Sequence, residues 1–330
     1  MDYPRHHHHS FFWPVILVGV GVIWLLVNLG VIAPISIGTI FQFWPILLII
    51  LGLDILFGRS FAWIGGLIGV LAVGGLVAFL ILFPAKAANI TTQSTQENHS
   101  VPLAETTSVN YEFETASEPV EISPLKSDST QLIDADLTHL GTIDFNVTGN
   151  AKKTVSLSET SNPNDWFNWN PINTNLKWEI GLATGIPTDI TIDGGSGSIH
   201  ADFTGVKLQS LTADLGSGSS NFTLPQSDQA IKVNLNSGSG SVDFSLPEKT
   251  NVTLQLQSGS GSFNIILPKN SVARVEVMNS GSGSLNLPDS LTLVSGDNSE
   301  GTWQSTGYEN AAERILIQIL DRGSGSITIN

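Results

Sequence analysis

The chain has 330 residues, with 14 Lys and Arg against 29 Asp and Glu, giving a net charge of -15 at neutral pH. So acidic a chain repels phosphate backbones, which excludes nucleic acid as a partner. There is no cysteine, so disulfides and thiol chemistry are excluded too.

Residues 1–85 hold only Asp2, Arg5, Asp54 and Arg59 as charged groups, so the acidic excess falls on residues 86–330. His6–His9 with Arg5 form a positively biased flank. Three apolar stretches, about 11–33, 41–57 and 61–83, predict transmembrane helices: about 20 apolar residues cross a bilayer core of about 30 Å, where every backbone amide must be paired. The first two stretches repeat at an offset of 31 residues, Trp13-Pro14 matching Trp44-Pro45 and Gly21 matching Gly52. Trp13 and Trp44 suit the lipid–water interface, and Pro14 and Pro45 suit a first helical turn, where a missing N–H costs little. These four residues are the expected interface contacts with the lipid bilayer. Gly65, Gly69, Gly74 and Gly75 leave room for close helix contact and self-association. Arg5 and Arg59 inside and Lys86 outside predict a multi-pass chain with three spans, a cytoplasmic N-terminus and an extracytoplasmic domain.

Residues 86–118 are polar and aperiodic, which predicts a disordered linker. Beyond it, residues 119–330 predict an all-β domain. The tetrapeptide GSGS begins at Gly195, Gly216, Gly238, Gly259, Gly281 and Gly323, at intervals of 21, 22, 21, 22 and 42 residues. Such a period predicts a parallel β-solenoid (β-helix) of about 21-residue coils, each burying its apolar face against its neighbours. The double interval is expected to hold a degenerate coil around Glu300-Gly301-Thr302. Within a coil apolar and polar residues alternate, as in Val242-Asp243-Phe244-Ser245-Leu246, and Pro247 then stops the strand. Glycine is expected in the turns for its positive φ.

Aligned coils predict two inward columns. One is Ile199, Ser220, Val242, Phe263, Leu285 and Ile327; the other is Ala201, Phe222, Phe244, Ile265, Leu287 and Ile329. Between them His200, Asn221, Asp243, Asn264 and Asn286 form an outward column, expected to be a structural ladder. Segments 133–149 and 176–195 read as divergent first coils. The strand Ile327-Thr328-Ile329 after the last GSGS reads as an open terminal coil, a second route to self-association.

Candidate chemistry is sparse. Trp166, Phe167 and Trp169, in an Asn- and Pro-rich loop, fit either stacking on a sugar or membrane interface, or capping of the first coil. His200 and Asp202 lie about 7 Å apart along one strand face, but no Lys or Arg joins them from the neighbouring coils. The turns carry Ser where repeat calcium sites carry Asp, and six copies of GSGS are a structural repeat rather than a nucleophile. No catalytic, cofactor-binding or metal-binding residue is expected.

The paired FWP segments, with Asn28-Leu29-Gly30, resemble the membrane region of LiaF-like proteins, named for the response to cell-wall-active antibiotics. The repeats are similar to the β-solenoid domain attached to many of them, which is related to adhesin domains of bacteria. This resemblance implies a non-enzymatic envelope protein that senses or regulates envelope stress by modulating a membrane histidine kinase. The alternative is a surface adhesin or glycan-binding module that contacts a cell-wall component.

Overall fold

The computed structural model describes residues 94–160 and 175–330, together with residues 17–22, 25, 48, 71, 74, 75 and 78, which are helical. Among the described residues no helix is long and apolar enough to cross a membrane. The expected spans 11–33, 41–57 and 61–83 lie almost wholly outside those residues.

The larger of two compact units, Ser94–Ser161 with Asn175–Asn330, is all-β. Its strands in chain order are β1 (Thr95–Pro102), β2 (Ser108–Thr115), β3 (Val120–Pro124), β4 (Gln131–His139), β5 (Thr142–Gly149), β6 (Lys152–Thr160), β7 (Lys177–Leu182), β8 (Pro187–Gly194), β9 (Ile199–Asp202), β10 (Lys207–Leu215) and β11 (Ser220–Thr223). They continue as β12 (Ser227–Ser237), β13 (Ser241–Ser245), β14 (Thr250–Ser258), β15 (Ser262–Ile266), β16 (Ala273–Val277), β17 (Ser284–Asn286), β18 (Thr292–Gly296), β19 (Gly301–Gln304), β20 (Ile315–Asp321) and β21 (Ser326–Ile329). One sheet runs β1-β4-β7-β3-β9-β11-β13-β15-β21-β17, and the other runs β18-β19-β16-β20-β14-β12-β10-β8-β2-β6-β5.

From β8 to β15 successive strands alternate between the sheets, and within each sheet they pair in parallel with the coil before and after. Alternating sequence puts every second residue between the sheets, where parallel register stacks like on like. In the first sheet Val120, Ile199, Ser220, Val242, Phe263, Ile327 and Leu285 form one register line. In the second Val155, Tyr111, Ile190, Leu211, Val233, Leu254, Ile317 and Val275 form another, and all of these are buried. Each fully buried aliphatic or aromatic side chain contributes about 1.5–3 kcal/mol. Both expected inward columns face the core, with Leu285 and Leu287 only partly covered.

Several expectations need correction. The linker does not extend to residue 118: β1 and β2 lie within 95–115, and Tyr111 and Phe113 are core residues. The polar look of this stretch comes from outward residues such as Asn110, Glu112 and Glu114, which conceal a period of two. Nor is pairing parallel throughout. The pairs β1–β4, β4–β7 and β5–β6 at one end, and β16–β19 and β18–β19 at the other, are antiparallel. Segment 133–149 belongs to this antiparallel end rather than to a coil. Around Glu300-Gly301-Thr302 there is a hairpin on the sheet edge instead of a degenerate coil. Most consequentially, β21 is no open end, since β15 and β17 pair with its two edges.

Candidate functional site

The GSGS turns stack into one face of the domain, in the spatial order of their first glycines Gly195, Gly216, Gly238, Gly259, Gly323 and Gly281. Each turn hangs on the previous one by backbone hydrogen bonds. Ser217 N donates to Gly195 O (3.1 Å), Ser260 N to Gly238 O (2.8 Å) and Ser324 N to Gly259 O (2.8 Å). Most of these glycines do not have positive φ; among the twelve only Gly281 and Gly323 do. Their requirement is close approach: a Cβ on Gly218 would overlap the carbonyl of Gly197 in the turn beneath.

The serines between the glycines line a shallow open groove of about 630 Å³, Ser217, Ser239, Ser260 and Ser324 along it. Ser241 Oγ donates to Ser219 Oγ at 3.2 Å, and Ser282 Oγ to Ser324 Oγ at 3.2 Å. Such rows of hydroxyls can exchange hydrogen bonds with a polyhydroxylated ligand. Among the described residues the groove is lined by Ser and Gly alone, and none of these can act as a base to activate a hydroxyl.

The outward column of the first sheet is longer than expected. His200 is flanked in register by Asn221 on one side and Glu121 on the other, and Glu121 by Glu179. Lys177 lies between the two glutamates, its Nζ 2.7 Å from Glu121 and 2.6 Å from Glu179. The hydrogen bond from Lys177 and its charge lower the Glu121 pKa, and bonding to Glu121 and Glu179 raises that of Lys177. Further along, Asn264 Nδ2 donates to Asp243 Oδ1 at 2.8 Å, and Asn286 Nδ2 to Thr328 Oγ1, its register neighbour, at 3.3 Å. The column is therefore a ladder. Asp202 accepts the backbone N–H of Thr204 at 2.8 Å and so closes its own turn.

A partly buried polar cluster was not legible in the sequence. His139, 2% exposed, donates from Nδ1 to the Gly141 carbonyl (3.1 Å), and its Nε2 lies 3.5 Å from Glu97, which also meets His99 Nε2 at 3.1 Å. Beside it Glu159 accepts the amides of Gly141 (2.6 Å) and Leu140 (3.3 Å). Burial, and then the neighbouring Glu118 carboxyl, raise the Glu159 pKa against these amides. Glu97 and His139 meet because β1 and β4 pair antiparallel, and Glu159 reaches Gly141 through the antiparallel β5–β6 pair; no local period announces either pairing. Among the described residues no three His, Cys, Asp or Glu side chains are arranged to hold a metal ion. Trp166, Phe167 and Trp169, like Trp13, Pro14, Trp44 and Pro45, lie outside the described residues.

Comparison with known families adds two matches. Residues 12–95 match the LiaF transmembrane domain, and residues 90–245 match the N-terminal domain of toast_rack. The chain is LiaF-like. Its toast-rack match begins just before β1, in keeping with a β-domain that starts near residue 94 rather than 119. No curated protein matches this LiaF-like chain. Among solved structures, one provisionally named as a cell adhesion protein, from Clostridium sporogenes, is 21% identical, with 72% of this chain and 99% of that one covered at a TM-score of 0.47. Another, provisionally named as an adhesin, from Bacteroides fragilis, is 12% identical, with 72% and 97% covered at a TM-score of 0.27.

Proposed function

We propose that this LiaF-like membrane protein is a non-enzymatic sensor or regulator of envelope stress. In this reading three helices anchor it with the N-terminus in the cytoplasm, and the β-domain, a solenoid in its parallel middle, stands outside. The observation that carries it is the direct junction of a LiaF transmembrane match with a β-domain whose open surfaces are ladders and stacked turns. The partner is a membrane histidine kinase contacted through the helices. The test compares phosphorylation of the envelope-stress kinases, with and without a cell-wall-active antibiotic, in cells lacking this protein and in complemented cells. Altered induction that complementation restores is expected. Identical induction in both strains would sink the regulator.

A second reading, a glycan-binding surface, draws on the hydroxyl-lined groove, with Trp166, Phe167 and Trp169 as additional contacts. Sedimentation with purified cell wall tests it. Equal retention of the Trp166→Ala/Trp169→Ala double variant would remove those two residues, and no retention of the intact protein would remove the reading.

A further inference from the structure

The last coil of the chain does not sit at the end of the stack. Strand β20 lies between β14 and β16, and β21 between β15 and β17, although β14 to β17 are consecutive in sequence. The two walls of this slot are spaced as direct neighbours would be. Val252 and Ala273 both face Ile315, Leu254 and Val275 both face Ile317, and Leu256 and Val277 both face Ile319. The step along the chain from Val252 to Ala273 equals the step between the directly paired Ile231 and Val252. In the other sheet Phe263 and Leu285 both face Ile327, and their separation in sequence equals that of the directly paired Ser220 and Val242. The turns agree: Gly259 and Gly281 are as far apart along the chain as the stacked Gly216 and Gly238.

We propose that coil β20–β21 is a removable insert, and that β16–β17 closes directly onto β14–β15 when it leaves. The walls keep parallel register, apolar facing apolar, so closure restores the ladder that release interrupts. The outward row is suited to both states. Gln318 now bridges the slot, accepting from Gln255 Nε2 at 3.0 Å and donating to Glu276 Oε2 at 3.0 Å. With the slot closed, Gln255 donates to Glu276 directly.

The insert is reached through residues 305–314, several of them exposed, which are fastened by a side-chain latch. Arg274, on the slot wall, holds Gln304 Oε1 (3.2 and 2.7 Å) and the Glu309 carboxylate, and lies 4.4 Å from the Tyr308 ring centre. Arg322 donates to the Ser280 carbonyl. Closure shortens the stack by one strand spacing, about 4.8 Å. It also uncovers Ile315, Ile317, Ile319, Ile327 and Ile329, all now buried, so the released state is the minor one. This inference stands apart from the stress role.

The chain has no cysteine, which permits a direct trap in the full-length protein. Across the inserted strand, Gln255 and Glu276 are two strand spacings apart, about 9.6 Å, beyond the roughly 7 Å that a disulfide spans. Under mild oxidation Gln255→Cys/Glu276→Cys is expected to accumulate an intramolecular disulfide, read by peptide mapping, more slowly than Gln255→Cys/Gln318→Cys. A pair that stays reduced while that control closes would overturn the proposal, as would linkage only between chains. If neither pair closes, β20 does not lie beside β14 and the proposal falls with it.

Discussion

Gly218 and Gly205 are both intolerant of a side chain, for different reasons. At Gly218 a Cβ would overlap the carbonyl of Gly197, so Gly218→Ala must push two stacked turns apart, an overpacking cost of about 1–3 kcal/mol. At Gly205 the surroundings are open but φ is +90°, and Gly205→Ala carries only the backbone strain, about 1–2 kcal/mol. Urea unfolding of the two variants should show both losses, and loosened serine turns only for Gly218→Ala, seen as faster amide exchange at Ser217 and Ser239, whose N–H groups hold the turns together. Glu159 offers a pH test. Its folded pKa lies above its unfolded one, chiefly through burial, so the carboxyl favours folding most in acid. That contribution is lost as the pH rises from the unfolded value of about 4.3 through the raised folded value. Glu159→Gln keeps the acceptor for Gly141 and Leu140 and removes the ionisation. The variant should match the parent in stability at pH 4 and exceed it at pH 8. A parent that gains stability relative to the variant between these pH values would contradict the assignment.

At the scale of elements, the GSGS period and the alternation around it were enough to place the inward columns, because stacking like on like leaves a mark once in every coil. Order in space left no such mark. A strand with the pattern of β20 fits any slot in a parallel stack, so sequence alone placed it last, whereas in the fold it is internal. The antiparallel ends were hidden for a related reason. The edge strand β18 shows no alternation in burial, every residue being exposed, while β5 alternates through Ile143, Phe145 and Val147, a pattern that parallel and antiparallel pairing share. The internal position of β20 has a measurable consequence. Ile317 is fully buried between Leu254 and Val275, so Ile317→Ala should cost about 2–5 kcal/mol. Were β20 an exposed terminal strand, the loss would be well under half of that, and urea midpoints with matched slopes distinguish the two.

At the scale of the whole molecule, composition separates a neutral apolar part, residues 1–85, from an acidic part. It misplaced the start of the β-domain, because an edge strand such as β1 is polar on one face and only partly covered on the other. The difference is decisive for any fragment of the domain. A fragment of residues 94–330 keeps β1 and β2, and with them Tyr111, whose hydroxyl donates to the Leu132 carbonyl at 2.6 Å, and Phe113 in the core. A fragment of residues 119–330 lacks both strands. It leaves β6 and β8 without the strand that joins them in the sheet, and β4 without a partner on one edge. The removed side chains include two large aromatics, each contributing about 1.5–3 kcal/mol of burial, out of a total stability of about 5–15 kcal/mol typical of a domain. The longer fragment should therefore unfold cooperatively with β-type circular dichroism, and the shorter should aggregate or show no cooperative transition. If the fragment of residues 119–330 instead unfolds with the midpoint of the longer one, β1 and β2 are dispensable and the linker reading of residues 86–118 is restored.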